Sequence, residues 1–231
     1  MAVVQVNTSQ GTFGSGSSTT VATPATSLTA GNRIVILIRW TTGVGAVSSI
    51  ADTAGNTYTL AQLSVPGGST TSLAMYYVAD CLGDASNVVT VTFTAGVSNR
   101  SVSAVQYSGS IDYELSMVFW QFLGSGGTIE AMAKARTSDG LLVVGTQVDA
   151  GGSTWTAGSG LTNAVEDDAA VAVISDAIIT SPANLTPQMS SSDAAGKLMV
   201  GAIFVNTGSG GSPSPPEEGG GSSRSRVQRR M

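Results

Sequence analysis

The acidic side chains come first among residues that could do chemistry, because this chain has no histidine. Without imidazole there is no Ser-His-Asp or Cys-His nucleophile. The commonest general base is missing, and most zinc sites lose a usual ligand. Cys81 is the single cysteine, so no intramolecular disulfide can form. Alone, it is a poor nucleophile candidate and reads as a small, partly buried residue following a strand. Paired carboxylates remain. Glu166, Asp167 and Asp168 are consecutive. Neighbours in a strand face opposite ways and neighbours in a loop splay apart, whereas a glycosidase needs two carboxyls about 5 to 10 Å apart across a cleft. The triplet reads as a solvated loop, with calcium ligation as the chemical alternative. Asp52, Asp80 and Asp84, with Asn56 or Asn87, could also hold calcium at one end of a sandwich; the same residue types are the preferred turn formers. The expectation is no enzyme, no catalytic or metal site, and no cofactor.

Two further groups could make contacts. Trp40, Trp120, Trp155 and the pair Tyr76-Tyr77 could form a stacking platform for sugars. Aromatics are only 6% of the chain and most sit in strand-like runs, so core packing is the competing reading. Alternation should turn one ring of Tyr76-Tyr77 outward, which makes that pair a candidate partner contact. The other group is Arg224, Arg226, Arg229 and Arg230, within the last eight positions. They follow a Gly/Ser/Pro stretch that could carry them about 20–25 Å as a coil. They read either as a solubilising end or as an arm that docks on an acidic surface.

The elements that must position these residues read as strands. Candidates are Val3–Val6, Thr19–Ala22, Arg33–Trp40, Ser48–Ala51, Thr57–Leu63, Ser72–Ala79, Val88–Thr94 and Ser101–Tyr107. The second half adds Leu115–Phe122, Thr128–Ala133, Leu141–Val148, Leu161–Val165, Ala170–Asp176, Thr186–Ser190 and Leu198–Asn206. In Val88–Thr94, Val89, Val91 and Phe93 alternate with Thr90, Thr92 and Thr94, giving one core face and one wet face. Ile34–Ile38 and Leu141–Val144 are apolar without a break, so both should be central strands covered on two sides. Asp167–Ile179 is alanine-rich, but its β-branched residues make it a strand. Ala54-Gly55-Asn56 sits between Ile50-Ala51 and Tyr58-Thr59, so Asp52–Asn56 should close a hairpin, and Gly67-Gly68 and Gly126-Gly127 mark further reversals.

A faint internal repeat runs through this pattern. Asn87–Tyr107 lies on Asn184–Phe204 without a gap, placing Arg100 on Lys197 and Tyr107 on Phe204. LAMYYVAD falls near AAVAVISD, and Gly31–Trp40 resembles Asp139–Val148. The fold class expected is all-β: a two-sheet antiparallel β-sandwich of jelly-roll type over residues 1–206, with a pseudo-duplicated meander. Residues 207–223 form a linker and 224–231 a basic arm.

Composition narrows the setting. Apolar residues make up 42% of the 231, enough for a core, while charged residues make up only 11%, less than half of the usual share of about 25%. The surface is therefore mostly Ser, Thr, Asn, Gln and Gly. Before residue 210 the chain has six basic and thirteen acidic residues, net −7, which argues against a nucleic-acid groove. The start does not read as a signal peptide, and no apolar run approaches the roughly 18 residues of a membrane span. A sandwich with this surface, no disulfide and no leader fits a virion protein made in a host cytoplasm, the alternative being a bacterial surface protein exported by a route without a cleaved signal.

The order GNRIVILIRW, ADTAGNTYTL, MYYVAD, NVVTVTF and RSVSAVQYSG resembles a β-sandwich module of phage virion and bacterial surface proteins. Ser138-Asp139-Gly140 before an apolar run and Trp155-Thr156-Ala157-Gly158 extend the likeness over roughly residues 30 to 206. The resemblance implies a decoration, fibre or sugar-binding role. Gln106 stands where the family commonly has an acid, which removes one possible ligand. The expected function is that of a tailed-phage capsid decoration (cement) protein on the outer shell. Its partners would be the major capsid protein and further copies of itself in a small homo-oligomer such as a trimer, with neither nucleic acid nor membrane involved. A chain that starts at Met1 and holds one sandwich favours a stand-alone coat component. The other expectation is a receptor- or carbohydrate-binding module of a tail fibre or surface protein.

Overall fold

The computed structural model describes residues 3–41, 45–65, 71–109, 111–121, 128–130, 134–135, 140–148, 155–158, 161–166, 172–179, 184–185, 188–191 and 197–206. Every regular element among them is a strand, and every ladder is antiparallel. The first half holds β1 (Val4–Gly14), β2 (Ser18–Ala22), β3 (Thr26–Leu28), β4 (Arg33–Thr41), β5 (Val47–Asp52), β6 (Thr59–Ser64), β7 (Thr71–Val78), β8 (Asp84–Asn87), β9 (Val89–Val97) and β10 (Arg100–Ser108). The second holds β11 (Ile111–Gln121), β12 (Thr128–Glu130), β13 (Lys134–Ala135), β14 (Gly140–Val148), β15 (Trp155–Ala157), β16 (Thr162–Glu166), β17 (Ala172–Ile179), β18 (Asn184–Leu185), β19 (Gln188–Ser191) and β20 (Lys197–Asn206).

The pairing is nested. β1 pairs with β10, β2 with β9 and β3 with β8, so the half wraps up like one long folded hairpin, the jelly-roll manner of closing a sandwich. One sheet runs β1-β10-β4-β7-β6 and a smaller one runs β2-β9-β5. The second half repeats this strand for strand as β11-β20-β14-β17-β16 and β12-β19-β15, with β13 on β18. The registers match too. Val35 faces Val105 in β4 and β10, and Val143 faces Ala202 in β14 and β20. Ala202 lies 97 residues after Val105, the spacing of the internal repeat. The LAMYYVAD alignment needs correcting: Val35 faces Tyr77 while Val143 faces Asp176, so β17 lies 99 residues after β7 rather than the 96 of the sequence alignment.

The two five-stranded sheets face each other and share one core. Val35, Leu37, Leu73, Met75, Val105 and Tyr107 meet Leu141, Val143, Ile174, Val200, Ala202 and Phe204. This is the expected sandwich of facing sheets. Each sheet is also covered on its far side. Ile34, Ile36, Ile38 and Trp40 point away from the centre and pack under Val21, Val89, Val91 and Phe93 of the small sheet. Leu142, Val144, Ile203 and Met189 are buried at the equivalent positions of the second half. All of Ile34–Ile38 and Leu141–Val144 is buried, as two-sided apolar runs require.

The halves are related by an approximate two-fold. β11 and β20 pack on β6, just as β1 and β10 pack on β16. At the axis an element must meet its own equivalent, and Leu37 meets Gly145 there. A Cβ on Gly145 would overlap Leu37 Cδ1. Two leucines would collide at that point and two glycines would leave a void, so the duplicated chain places one of each.

Some local readings change. β5 and β6 join different sheets, so Asp52–Asn56 makes a turn between layers, not a hairpin. Glycine serves that turn: Gly55 has φ 83°, and its N–H bonds the Asp52 carbonyl at 3.2 Å. β1 runs on to Gly14 through a polar, bulged stretch because the edge of β10 offers it a ladder. The Gly67-Gly68 and Gly126-Gly127 reversals and residues 207–231 lie outside the described residues.

The axis contact makes an outcome that unfolding in urea can check. Gly145→Leu should destabilise by about 1–3 kcal/mol through overpacking, and Leu37→Gly by about 2–5 kcal/mol through the cavity it leaves. The reciprocal double variant should lose less than either single change. Simple additivity of the two losses would rule out the exchange across the axis.

Candidate binding faces

The outer sheet of the first half presents its wet face on β9. Val89, Val91 and Phe93 are buried, and Thr90, Thr92 and Thr94 point outward. In an antiparallel sheet, paired residues share a face. Thr92 pairs with Thr20 of β2 on one side and with Ser49 of β5 on the other, giving a cross-strand row of three hydroxyls. In the second half, Ser190 of β19 is in register with Thr128 of β12 and with Thr156 of β15, and Ser190 and Thr156 share a face. Thr20, Ser49 and Thr156 are exposed, and Thr92 and Ser190 are half-buried. Short hydroxyls both donate and accept, carry no charge to desolvate, and let a partner approach the sheet closely. With sheets packing about 10 Å apart, the two rows stand on opposite faces of a stack roughly 30 Å across.

At one end of the first half, the expected Asp and Asn cluster is a bracing network. Asp52 accepts hydrogen bonds from Asn56 N at 2.8 Å, Asn56 Nδ2 at 2.8 Å and Tyr58 Oη at 2.9 Å. Asn56 Oδ1 accepts from Leu82 N at 2.7 Å, tying the turn to the loop after β7. Thr53 Oγ1 donates to Asp84 at 2.6 Å, and Asn87 Oδ1 accepts from Ala54 N at 3.2 Å. Burial, with Asp52 beside it, pushes the Tyr58 phenol far above its usual range. The Thr53 and Ser86 donors hold the Asp84 carboxyl below its usual value. A cation here would have to displace these donors, and among the described residues no three His, Cys, Asp or Glu gather as a cage. Asp80 borders a shallow depression with Asn56, Thr57 and Leu82.

The aromatic candidates with described side chains, Trp40, Tyr76 and Tyr77, all pack against a core. Trp40 is 3% exposed, lies 5.9 Å from Phe93 and donates Nε1–H to Gly45 O at 2.9 Å. Tyr76 and Tyr77 do alternate, but neither is fully outward, because β7 belongs to a sheet covered on both faces. Tyr77 packs edge-on to Phe204 at 5.6 Å in the central core. Tyr76 packs against the outer core and borders a cavity of about 180 Å³ with Trp40, Val47, Leu63 and Val65. Trp120 lies in β11, and Trp155 in β15 opposite Ser191.

Cys81 is buried, with Sγ 3.2 Å from Thr29 O, and burial pushes its thiol up. Gln106 is also buried and donates to Thr29 O at 3.3 Å. An acid there would sit under the outer core rather than at a ligand. Glu166 ends β16, while Asp167 and Asp168 lie outside the described residues, as do Arg224, Arg226, Arg229 and Arg230. Three features were not read from the sequence: the paired hydroxyl rows, the Leu37–Gly145 contact, and a buried hydrogen bond from Tyr107 Oη to Asp176 Oδ2 at 2.8 Å. Alternation marked Thr90, Thr92 and Thr94 as wet, but cross-strand neighbours require the register. No family model, curated protein or solved structure matches this chain.

Two outcomes test the structural assignments. Trp40→Ala should cost about 3–5 kcal/mol in chemical unfolding; a near-neutral result would return Trp40 to the surface. Asp52→Ala strands three donors and should cost about 1–3 kcal/mol, with the same melting temperature with and without EDTA for the wild type. A drop in EDTA would instead mark a bound cation.

Proposed function

We propose that this chain is a non-enzymatic structural protein of a virion: a capsid decoration (cement) protein that stabilises the outer shell by binding neighbouring subunits. The observation that carries the reading is the pair of equivalent hydroxyl-bearing faces on the two small sheets. A molecule with one such face caps a surface; with two it can bridge repeated surfaces, and bridging gains avidity without new kinds of contact. Jelly-roll sandwiches serve both as capsid and as lectin domains, so the fold supports this class by analogy only. The low charge and the motif resemblance add support. In this reading the major capsid protein is the principal partner. Self-association into a small oligomer and docking by Arg224, Arg226, Arg229 and Arg230 reinforce the attachment.

A receptor- or sugar-binding module is the second reading. The cavity beside Tyr76 favours it, since one aromatic edge and apolar walls suit a small ligand.

Co-sedimentation with purified shells, set against a glycan array, distinguishes the two readings. Thr92→Arg or Ser190→Arg should each leave melting nearly unchanged and weaken shell binding by about 10²-fold or more through lost avidity. The double variant should release the shell. Glycan binding without shell binding would overturn the proposal. Removing residues 207–231 should leave the sandwich folded and weaken attachment, with raised salt reproducing the loss; equal binding at all salt concentrations would make the arm passive.

A further inference from the structure

The central interface pairs equivalent positions, and one of those pairs is chemically odd. Position 107 of β10 corresponds to 204 of β20, and 77 of β7 to 176 of β17, as the shared registers show. On one side of the pseudo-two-fold, Phe204 meets Tyr77 edge to face. On the other, the equivalent contact is Tyr107 with Asp176. An acid thus occupies a site that its counterpart fills with a ring. Tyr107 is 0% and Asp176 6% exposed.

The strand partners of Asp176 carry no charge. In its own sheet Asp176 lies opposite Val143 of β14 and Thr162 of β16. Across the interface, among the described residues, the titratable group that touches Asp176 is Tyr107. Among the described residues, two charged side chains alternate onto that face of β4: Arg33, opposite Tyr107, directs Nη1 to the Gly31 carbonyl at 3.2 Å, and Arg39, six residues along the strand, directs Nη1 to the Asn99 carbonyl at 2.7 Å. We propose that Asp176 is a proton-dependent latch between the two halves. When protonated, it is a neutral hydrogen-bond partner for Tyr107. When ionised, it places a carboxylate in the shared core and loosens the facing sheets.

Burial raises the Asp176 carboxyl above its usual value and outweighs the lowering by the Tyr107 hydrogen bond. The sign follows from linkage. A carboxyl raised by folding binds its proton more tightly in the folded state, so its contribution is complete below the unfolded value of about 3.9 and is lost as pH rises through the folded value. Most surface carboxylates act in the opposite sense.

Thermal unfolding of the full chain across pH 4 to 8 tests this. Relative to wild type, Asp176→Asn should gain melting temperature as pH rises, by roughly 3 °C or more over that range. The double variant Y107F/D176Y, which reproduces the Phe204–Tyr77 pair, should show the same relative gain. A pH-independent offset in both variants would overturn the latch. Infrared titration of the wild type gives a readout that needs no folded variant. One un-ionised carboxyl stretch should persist above the range of the others; titration of every carboxyl in the ordinary range would refute the proposal.

Discussion

The architecture depends on β4 and β14 being apolar on both faces. A strand whose residues are buried in unbroken succession cannot lie at the surface of a two-layer sandwich with its other side in water. Ile34, Ile36 and Ile38 need one cover, and Val35 and Leu37 another. At about 25 cal/mol per Å² of apolar surface removed from water, leaving either face open would forfeit several kcal/mol per strand. The small sheet of each half covers the outer face. The inner face is covered by the other half, and so the two jelly rolls are held together.

This constraint makes the duplication structural. Each half buries its inner face against a copy of the same design, as the subunits of an isologous dimer would. Fusion into one chain then permits asymmetry at the axis. Leu37 against Gly145 and Tyr107 against Asp176 are pairs that identical subunits could not make singly. The first exchanges volume across the axis; the second introduces a protonation site into a core that is otherwise mostly apolar.

The outer surface follows a different rule. Only one side of β9 is buried, so its other side is free to be Thr-rich, and its neighbours in register continue the hydroxyls. The charged and amide groups gather at the turns, where Asp52, Asn56, Asp84 and Asn87 satisfy loop N–H and O–H donors. The same residue types that suggest a cation site in the sequence are those that brace turns, and the hydrogen-bond partners decide between the two.

By itself the sequence determined the strand class, the two-sided burial of Ile34–Ile38 and Leu141–Val144, the wet face of Thr90, Thr92 and Thr94, and the existence of a repeat spaced 97 residues in its last strands. Those are properties of local periodicity, which side-chain alternation writes directly into the chain. Only the tertiary structure decided which sheet each strand joins. Asp52–Asn56 reads as a hairpin because its flanks look like ordinary partners, yet β5 and β6 leave for different layers. It also decided that Tyr76 and Tyr77 each meet a core, that Trp40 is a packing residue, and that Asp176 meets Tyr107. These outcomes depend on what lies across a sheet or an interface, up to about a hundred residues away along the chain, and no local pattern carries that information.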